Sequence, residues 1–452
     1  MEFSFADYQG RLYRGIFRPP DFFRPYVAIK PDAYRALDEQ HMRERLRIED
    51  TFGQLNRRVG WEYFWKVYPV QSRTLDWAQL SFPAYRFILA EVLQDDWLAT
   101  VDWHKFNRDH ALHQPLTAYI VLKMLTGAGD DGWEIDGRRV LDLCVDKVLN
   151  GEKTVYLREY LEKSDSERGG SLGFLFDESN LSKEIWKTLF VEIAFLAATF
   201  HDLGYPWQYV NRLNSNLEHA GYLKDSPTSD AKRIVDEFGK RLLFYPLNGY
   251  GSVGLNAPST WKEKLIDQTA VSLRDTHGLP GAIGFLYLND VLREYPEGES
   301  ALREFCVEWA AMAVMMHDMK KVYWGNNGTA TLPENKHLRL RVDVDPLSCI
   351  VTLADVLQDF ERPSVQFSPC TRNSKRTHAD YEYEVKSVSI DYVNAGYRTL
   401  RINYICDGAD AACRKQSYLR DTQEEYFDPQ RGYLDLSAFG IERVELDVLS
   451  PT

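Results

Sequence analysis

Histidines and aspartates at the ends of apolar segments or within them are the residues of this chain that could do chemistry. They are His113, His201, Asp202, His277, His317, Asp318 and Asp355. Imidazole nitrogens and carboxylate oxygens together suit borderline to hard divalent metal ions. A polar side chain on the buried face of an apolar helix is costly unless it is paired or bound to a metal. The pattern therefore predicts a metal site built on a frame of buried helices.

The dipeptide His201-Asp202 is the starting point of this prediction. An imidazole can bind one metal ion while the adjacent carboxylate bridges two, and two ions roughly 3.5–4 Å apart can clamp a phosphoryl group. One such dipeptide is weak evidence, because a helix-capping Asp beside a core histidine gives the same letters. The order of the whole set, with each member on or beside a predicted buried helix, favours the metal site.

Apolar segments with helical spacing must position these residues. Helices are predicted at 112–125, 185–201, 305–316 and 347–357. The second repeats apolar side chains every three or four positions and ends at the His-Asp dipeptide. The fourth follows Asp345-Pro346, and proline suits the first turn of a helix. These segments predict a mainly helical domain over residues 101–365.

The regions on either side of this domain have a different character. Residues 1–100 mix proline, aromatic and charged residues but contain a stretch of helix formers at 31–56, which predicts an N-terminal helical extension. Near the C-terminus, two runs of alternating polar and apolar residues flank Asn394-Ala395-Gly396 and predict a β-hairpin. We therefore expect residues 366–452 to form a small β or α+β appendage, and the fold class to be mainly α.

Charge and composition limit the classes of partner. The 452 residues include 54 Lys and Arg against 67 Asp and Glu, for a net charge of −13. A field of that sign disfavours nucleic acid and is compatible with a small phosphorylated substrate. No uncharged apolar run approaches the roughly 18 residues of a membrane span, and we see no signal peptide. The six cysteines form no CxxC pair, so we expect a reduced, cytoplasmic protein.

The motif order resembles that of the HD-domain metal-dependent phosphohydrolases, His … His-Asp … (His … His) … Asp. His113, followed by Thr117 on an apolar helix, matches the first histidine, and Asp355 matches the last aspartate. The resemblance covers roughly residues 100–363. It implies an all-α HD-domain helical bundle and hydrolysis of phosphoester bonds, commonly in nucleotides, by a metal-activated hydroxide.

The resemblance also implies a ligand set for one or two divalent ions. One ion would be held by His113, His201, Asp202 and Asp355, and the other by His277, His317 and the bridging Asp202. Mn, Fe, Mg, Co, Ni and Zn are all compatible with this set. His110 lies one turn before His113 and is an alternative first ligand, while Asp318 is open to interpretation as a helix-end cap.

Further residues are candidates for catalysis and substrate binding. We assign Asp202, His110 and Lys320 to catalysis, and Lys321, Arg362 and Tyr205 to substrate binding. Arginine suits phosphate because it can bind in a bidentate way, and an aromatic ring could stack on a base. For the basic residues the alternative is a solvated helix end, and for the tyrosine it is local packing.

The sequence thus predicts a phosphohydrolase acting on a nucleotide or another small phosphorylated substrate. Two alternatives stay open. One is a non-catalytic nucleotide-binding or sensor module of the same fold. The other is a metal-dependent single-strand nuclease, which would need a basic groove leading to the metals. We interpret 211–258 as an insertion, and a homo-oligomer is compatible with every one of these hypotheses.

Overall fold

The structure is a computed structural model that describes residues 1–4, 7, 110–127, 132–151, 158, 180–204, 277–291, 300–319, 339–360, 385–430 and 432–450. The helix predicted at 31–56, the insertion predicted at 211–258 and the predicted domain limits near residues 100 and 365 lie outside these ranges. The four predicted helices of the central domain and the predicted hairpin lie within them.

Seven α-helices are present in the described ranges. They are α1 (His110–Thr126), α2 (Val140–Asn150), α3 (Asn180–Phe200), α4 (Gly278–Val291), α5 (Ser300–Met316), α6 (Pro346–Leu357) and α7 (Ala409–Thr422). Helices α1, α3, α5 and α6 confirm the four predicted from apolar spacing. Among the helices that the structure describes, none has both the length and the apolar character needed to cross a membrane.

The strands of the described ranges are short except at the hairpin. They are β1 (Glu2–Ser4), β2 (Glu134–Ile135), β3 (Arg138–Arg139), β4 (Leu340–Arg341), β5 (Val385–Ala395), β6 (Tyr397–Cys406), β7 (Leu434–Asp435) and β8 (Arg443–Leu449). Strands β5 and β6 form the predicted antiparallel hairpin. Gly396 at its turn has φ +90°, a conformation that a side chain would disfavour.

The chain divides into two compact units, each assembled from separated stretches of sequence. The first contains Met1–Asp136, Ala354–Gln423 and Arg443–Thr452. The second contains Gly137–Leu353 and Glu424–Glu442. Helix α6 contributes its residues up to Leu353 to the second unit and the rest to the first.

A mixed four-stranded sheet, in the order β1-β5-β6-β8, forms the centre of the first unit. Strand β1 pairs antiparallel with β5, and its Phe3 is fully buried against the ring of Tyr119 on α1. Lys123, one turn further along α1, lies 2.6 Å from the carboxylate of Asp7. Strands β6 and β8 are parallel and joined through α7, because parallel neighbours need a crossover connection.

Aromatic packing between α3 and α5 forms the core of the second unit. Trp186 and Phe190 of α3 meet Trp309 of α5 edge to face, with ring centroids 5.9 Å apart in both pairs. Phe305 extends the cluster one turn earlier on α5. Edge-to-face pairs add to the free energy of burial and restrict how the helices rotate. This packing therefore holds α3 against α5.

The C-terminal end of α5 is supported by a residue from late in the sequence. The buried hydroxyl of Tyr433 donates a hydrogen bond to the carbonyl of Met316, the last residue of the helix. Carbonyls in the last turn have no partner within their helix, so an outside donor satisfies this one. Burial raises the pKa of the Tyr433 phenol well above its usual value, which keeps the donor proton in place.

The prediction of a mainly α fold is wrong. The described residues combine seven helices with a mixed four-stranded sheet and two short strand pairs. The first residues of the chain belong to that sheet through β1, where a helical extension was predicted. Three residues are too few to show alternation in sequence, and the partner of β1 lies almost four hundred positions away, so local pattern could not reveal the pairing.

Candidate metal centre

Three helix ends in the second unit carry the candidate ligands. His201 and Asp202 directly follow α3, and His317 directly follows α5. His277 directly precedes α4. The C-terminal end of a helix carries a partial negative charge, which favours a nearby cation. The ends of α3 and α5 and the carboxylate of Asp202 therefore favour a cation here, whereas the start of α4 contributes a partial positive charge.

Three imidazole nitrogens surround one carboxylate oxygen. Asp202 Oδ1 lies 3.1 Å from His277 Nε2, 3.4 Å from His201 Nε2 and 3.8 Å from His317 Nε2. The Nε2 atoms of His277 and His317 are 2.9 Å apart. Asp202, His201 and His317 are all at most 2% exposed. Water is therefore largely excluded from a site that holds a carboxylate, and the carboxylate needs a positive partner.

The protonation of two imidazoles follows from their backbone contacts. His201 Nδ1 lies 2.7 Å from the carbonyl of Ala198, and His317 Nδ1 lies 2.5 Å from the carbonyl of Val314. Because a carbonyl only accepts, Nδ1 must carry the proton in both rings. In the neutral rings Nε2 then presents a lone pair toward Asp202. A donor on one nitrogen and a lone pair on the other is the usual arrangement of a histidine that binds a metal.

His277 is held by a second aspartate. Its Nδ1 and its backbone N–H each lie 2.9 Å from Oδ2 of Asp318. Burial acts to lower the pKa of His277, but the carboxylates of Asp318 and Asp202 outweigh it and raise the pKa to about 9. In the absence of a metal the ring is therefore an imidazolium, and its Nε2–H points between Asp202 and His317. A proton then supplies the positive charge that this cluster requires.

The cluster of His201, Asp202 and His317 could hold a metal ion. Each residue offers one ligand atom, and these three atoms lie within 4.8 Å of one another. Lone pairs on neutral imidazoles beside an ionised carboxylate are the donor set that borderline divalent metals prefer. The structure thus brings three of the predicted ligands, His201, Asp202 and His317, together in one buried cluster.

Close backbone contacts at glycines bring the helix ends together. A Cβ on Gly204 would overlap the carbonyl oxygen of His277 and lie 2.5 Å from the nitrogen of Gly281. A Cβ on Gly278 would lie 2.6 Å from the carbonyl oxygen of Met315. The turn after α3 and the end of α5 therefore both approach the start of α4 more closely than any side chain would permit. No packing role was predicted for either glycine from the sequence.

A related arrangement occurs in the first unit around His113. Its Nε2 lies 3.0 Å from Asp355 Oδ1, and its Nδ1 donates to Oε1 of Gln358. Gln358 is oriented by its own Nε2, which donates to the carbonyl of Phe360 at 2.7 Å. As in the second unit, the Nε2 atom of this histidine faces an aspartate while its Nδ1 has another hydrogen-bond partner. The structure thus places the predicted ligands His113 and Asp355 in contact.

The remaining predicted residues lie outside the described positions. Lys320, Lys321, Arg362 and Tyr205 are among them, as is the side chain of His110. Their assigned roles stay predictions. Two further residues were missed as partners of the histidines: Asp318 was open to interpretation as a helix-end cap, and Gln358 was not considered. The second His-Asp dipeptide, His317-Asp318, could have indicated a role for Asp318. Gln358 could have been found from its position one helical turn after Asp355.

Comparisons of the chain with protein families, curated proteins and solved structures give no match. The resemblance to HD-domain phosphohydrolases therefore stays a prediction from motif order.

Replacing Gly204 by alanine tests the close backbone contact. We expect Gly204→Ala to lower the free energy of unfolding by about 1–3 kcal/mol or more, because a methyl group there must displace the start of α4. Gly284→Ala is the matched control on α4, since its Cβ would make only ordinary contact, 3.6 Å from a Leu203 methyl. That variant should gain up to about 1 kcal/mol in helix propensity. Denaturant unfolding measures both, and equal stability of the two variants would contradict the assigned contact.

The raised pKa of His277 predicts how the stability of the metal-free protein depends on pH. A pKa of about 9 in the folded state, against 6.5 for the ordinary group, means that the protonated ring stabilises the fold. This contribution is complete below about pH 6.5 and lost as pH rises through about 9, a change of about 3 kcal/mol. Unfolding should be followed in chelator from pH 6 to 10. We expect His277→Gln to lack this loss, and parallel curves for the two proteins would rule out the assignment.

Proposed function

We propose that this protein is a metal-dependent phosphohydrolase that cleaves a phosphoester bond in a small phosphorylated substrate, most simply a nucleotide. The observation that carries the proposal is the convergence of three imidazole Nε2 atoms on the buried carboxylate oxygen of Asp202. Buried polar groups in such a density are costly unless they are paired with one another or bind a metal ion. The motif order that resembles HD-domain phosphohydrolases supports the choice of reaction.

A transition metal is the cofactor that we propose for this centre. In the second unit the candidate donors are the imidazoles of His201, His277 and His317 and the carboxylate of Asp202. Imidazole suits Mn, Fe, Co, Ni or Zn better than Mg, which prefers oxygen ligands and keeps several waters. We therefore place Mg last among the six ions that the sequence allowed. The predicted contribution of His113 and Asp355 stays a prediction.

Each candidate ligand in the second unit has a defined role in the proposed reaction. A bound divalent ion supplies charge neutralisation at phosphoryl oxygens and lowers the pKa of water. His201 and His317 present Nε2 lone pairs that need no reorientation, because their Nδ1 protons are fixed by backbone carbonyls. Asp202 contributes the negative charge of the site. The burial of all three excludes bulk water, which strengthens every electrostatic interaction in the centre.

The acidic character of the chain supports a small substrate over a polymer. A net charge of −13 opposes the long-range attraction that a polyanionic strand would need. A small phosphate ester needs only local compensation of charge at the site itself. Hydrolysis of a nucleotide is the reaction of this class that the resemblance to HD-domain phosphohydrolases favours.

Isosteric replacement of two buried aspartates tests the proposal. Asp202→Asn removes the charge at the centre. Asp345→Asn makes the same change at the start of α6, where the carboxylate accepts the Ser348 N–H at 3.0 Å. We expect Asp202→Asn to lose bound metal and to lower phosphate release by more than about 100-fold, since changing an outer-sphere partner alone costs roughly 10–100-fold. Asp345→Asn should keep both. Elemental analysis and a panel of nucleotides and model phosphodiesters supply the readouts.

The outcomes separate the hypotheses. Metal retained in Asp202→Asn at the level of the parent would contradict the centre. Metal present and specific to Asp202, with nucleotide binding but no phosphate release for any substrate, would replace the enzyme by the sensor module. Preferential cleavage of single-stranded nucleic acid would replace it by the nuclease.

A further inference from the structure

We propose that Asp318 is a positioning residue that aims His277 at the metal centre, an inference that rests on the proposed metal site. A single carboxylate oxygen of Asp318 accepts hydrogen bonds from both Nδ1 and the backbone N–H of His277, each at 2.9 Å. These contacts fix the ring and the backbone of the same residue at once. The ring is therefore presented with Nε2 toward Asp202 and His317.

The two His-Asp dipeptides of the second unit thus have different tasks. In both, the histidine follows a helix and donates Nδ1–H to the carbonyl three residues earlier, Ala198 in the first and Val314 in the second. The first aspartate, Asp202, faces the three imidazole Nε2 atoms directly. The second, Asp318, contacts the far side of a ring that reaches the centre. Asp318 therefore acts on the metal through His277.

The Nδ1 atom of His277 has a different kind of partner from that of the other two histidines. His277 directly precedes α4, and its Nδ1 contacts the Asp318 carboxylate, whereas Nδ1 of His201 and of His317 contacts a backbone carbonyl. Asp318, two residues after the end of α5, provides the acceptor across the close contact at Gly278, whose Cβ would lie 3.2 Å from that of Asp318. A carboxylate on the outer nitrogen of a histidine also makes the inner nitrogen a stronger metal ligand. Asp318 therefore both orients the His277 ring and strengthens its Nε2 atom as a metal ligand.

The experiment compares Co²⁺ binding by three variants of the full chain. Asp318→Ala removes the acceptor, and Asp318→Asn retains one acceptor oxygen without the charge. Asp345→Ala removes another buried carboxylate, at the start of α6. Co²⁺ affinity is measured by chelator competition, and Co²⁺ absorption spectra report the ligand geometry. We expect roughly 10–100-fold weaker binding and an altered spectrum in Asp318→Ala. Asp318→Asn should lie between it and the parent, and Asp345→Ala should match the parent.

Three other outcomes would contradict either the positioning role of Asp318 or the metal centre. Parent-like affinity and spectrum in Asp318→Ala would overturn the positioning role while leaving the metal centre intact. Equal weakening in Asp318→Ala and Asp345→Ala would also overturn it, because general loss of stability would then explain the effect. A parent protein that binds no Co²⁺ would overturn the metal centre itself and the inference with it.

Discussion

A buried carboxylate that must be compensated is the constraint on which the second unit depends. Asp202 is 2% exposed, and transferring such a charge from water without a partner is prohibitive. Three imidazoles surround the carboxylate. In the metal-free state the proton on His277, whose pKa is about 9, supplies the compensating positive charge. A divalent ion would meet the same requirement. A proton on His277 and a bound metal ion are thus alternative ways to compensate the buried charge of Asp202.

The surrounding architecture follows from that requirement. Three helix ends must approach within a few ångströms, so the backbone at Gly204 and Gly278 comes too close for side chains. Rigid helices are needed to maintain such contacts, and the Trp186–Trp309 packing of α3 against α5 supplies that rigidity. Tyr433 then fixes the last carbonyl of α5 from a distant part of the sequence. Aromatic packing, close backbone contacts and hydrogen bonding therefore together position the residues around Asp202.

Local sequence pattern could predict the helices that carry the histidines and the β-hairpin, because apolar spacing and turn residues act over short distances. It could also indicate His201, Asp202, His277 and His317 from residue chemistry and order. It could not predict β1, whose pairing with β5 is non-local. The mainly α expectation failed because β1 and β8 extend the predicted hairpin into a mixed four-stranded sheet. The contact of Asp318 with His277 joins residues 41 positions apart, so only the folded chain reveals its role.

X-ray absorption at the K edge of the metal bound to the purified protein tests the central claim most directly. We expect a first shell of nitrogen and oxygen ligands, with outer-shell scattering from at least two imidazoles, those of His201 and His317, beside the carboxylate of Asp202. A shell of oxygen ligands alone, without imidazole scattering, would contradict it.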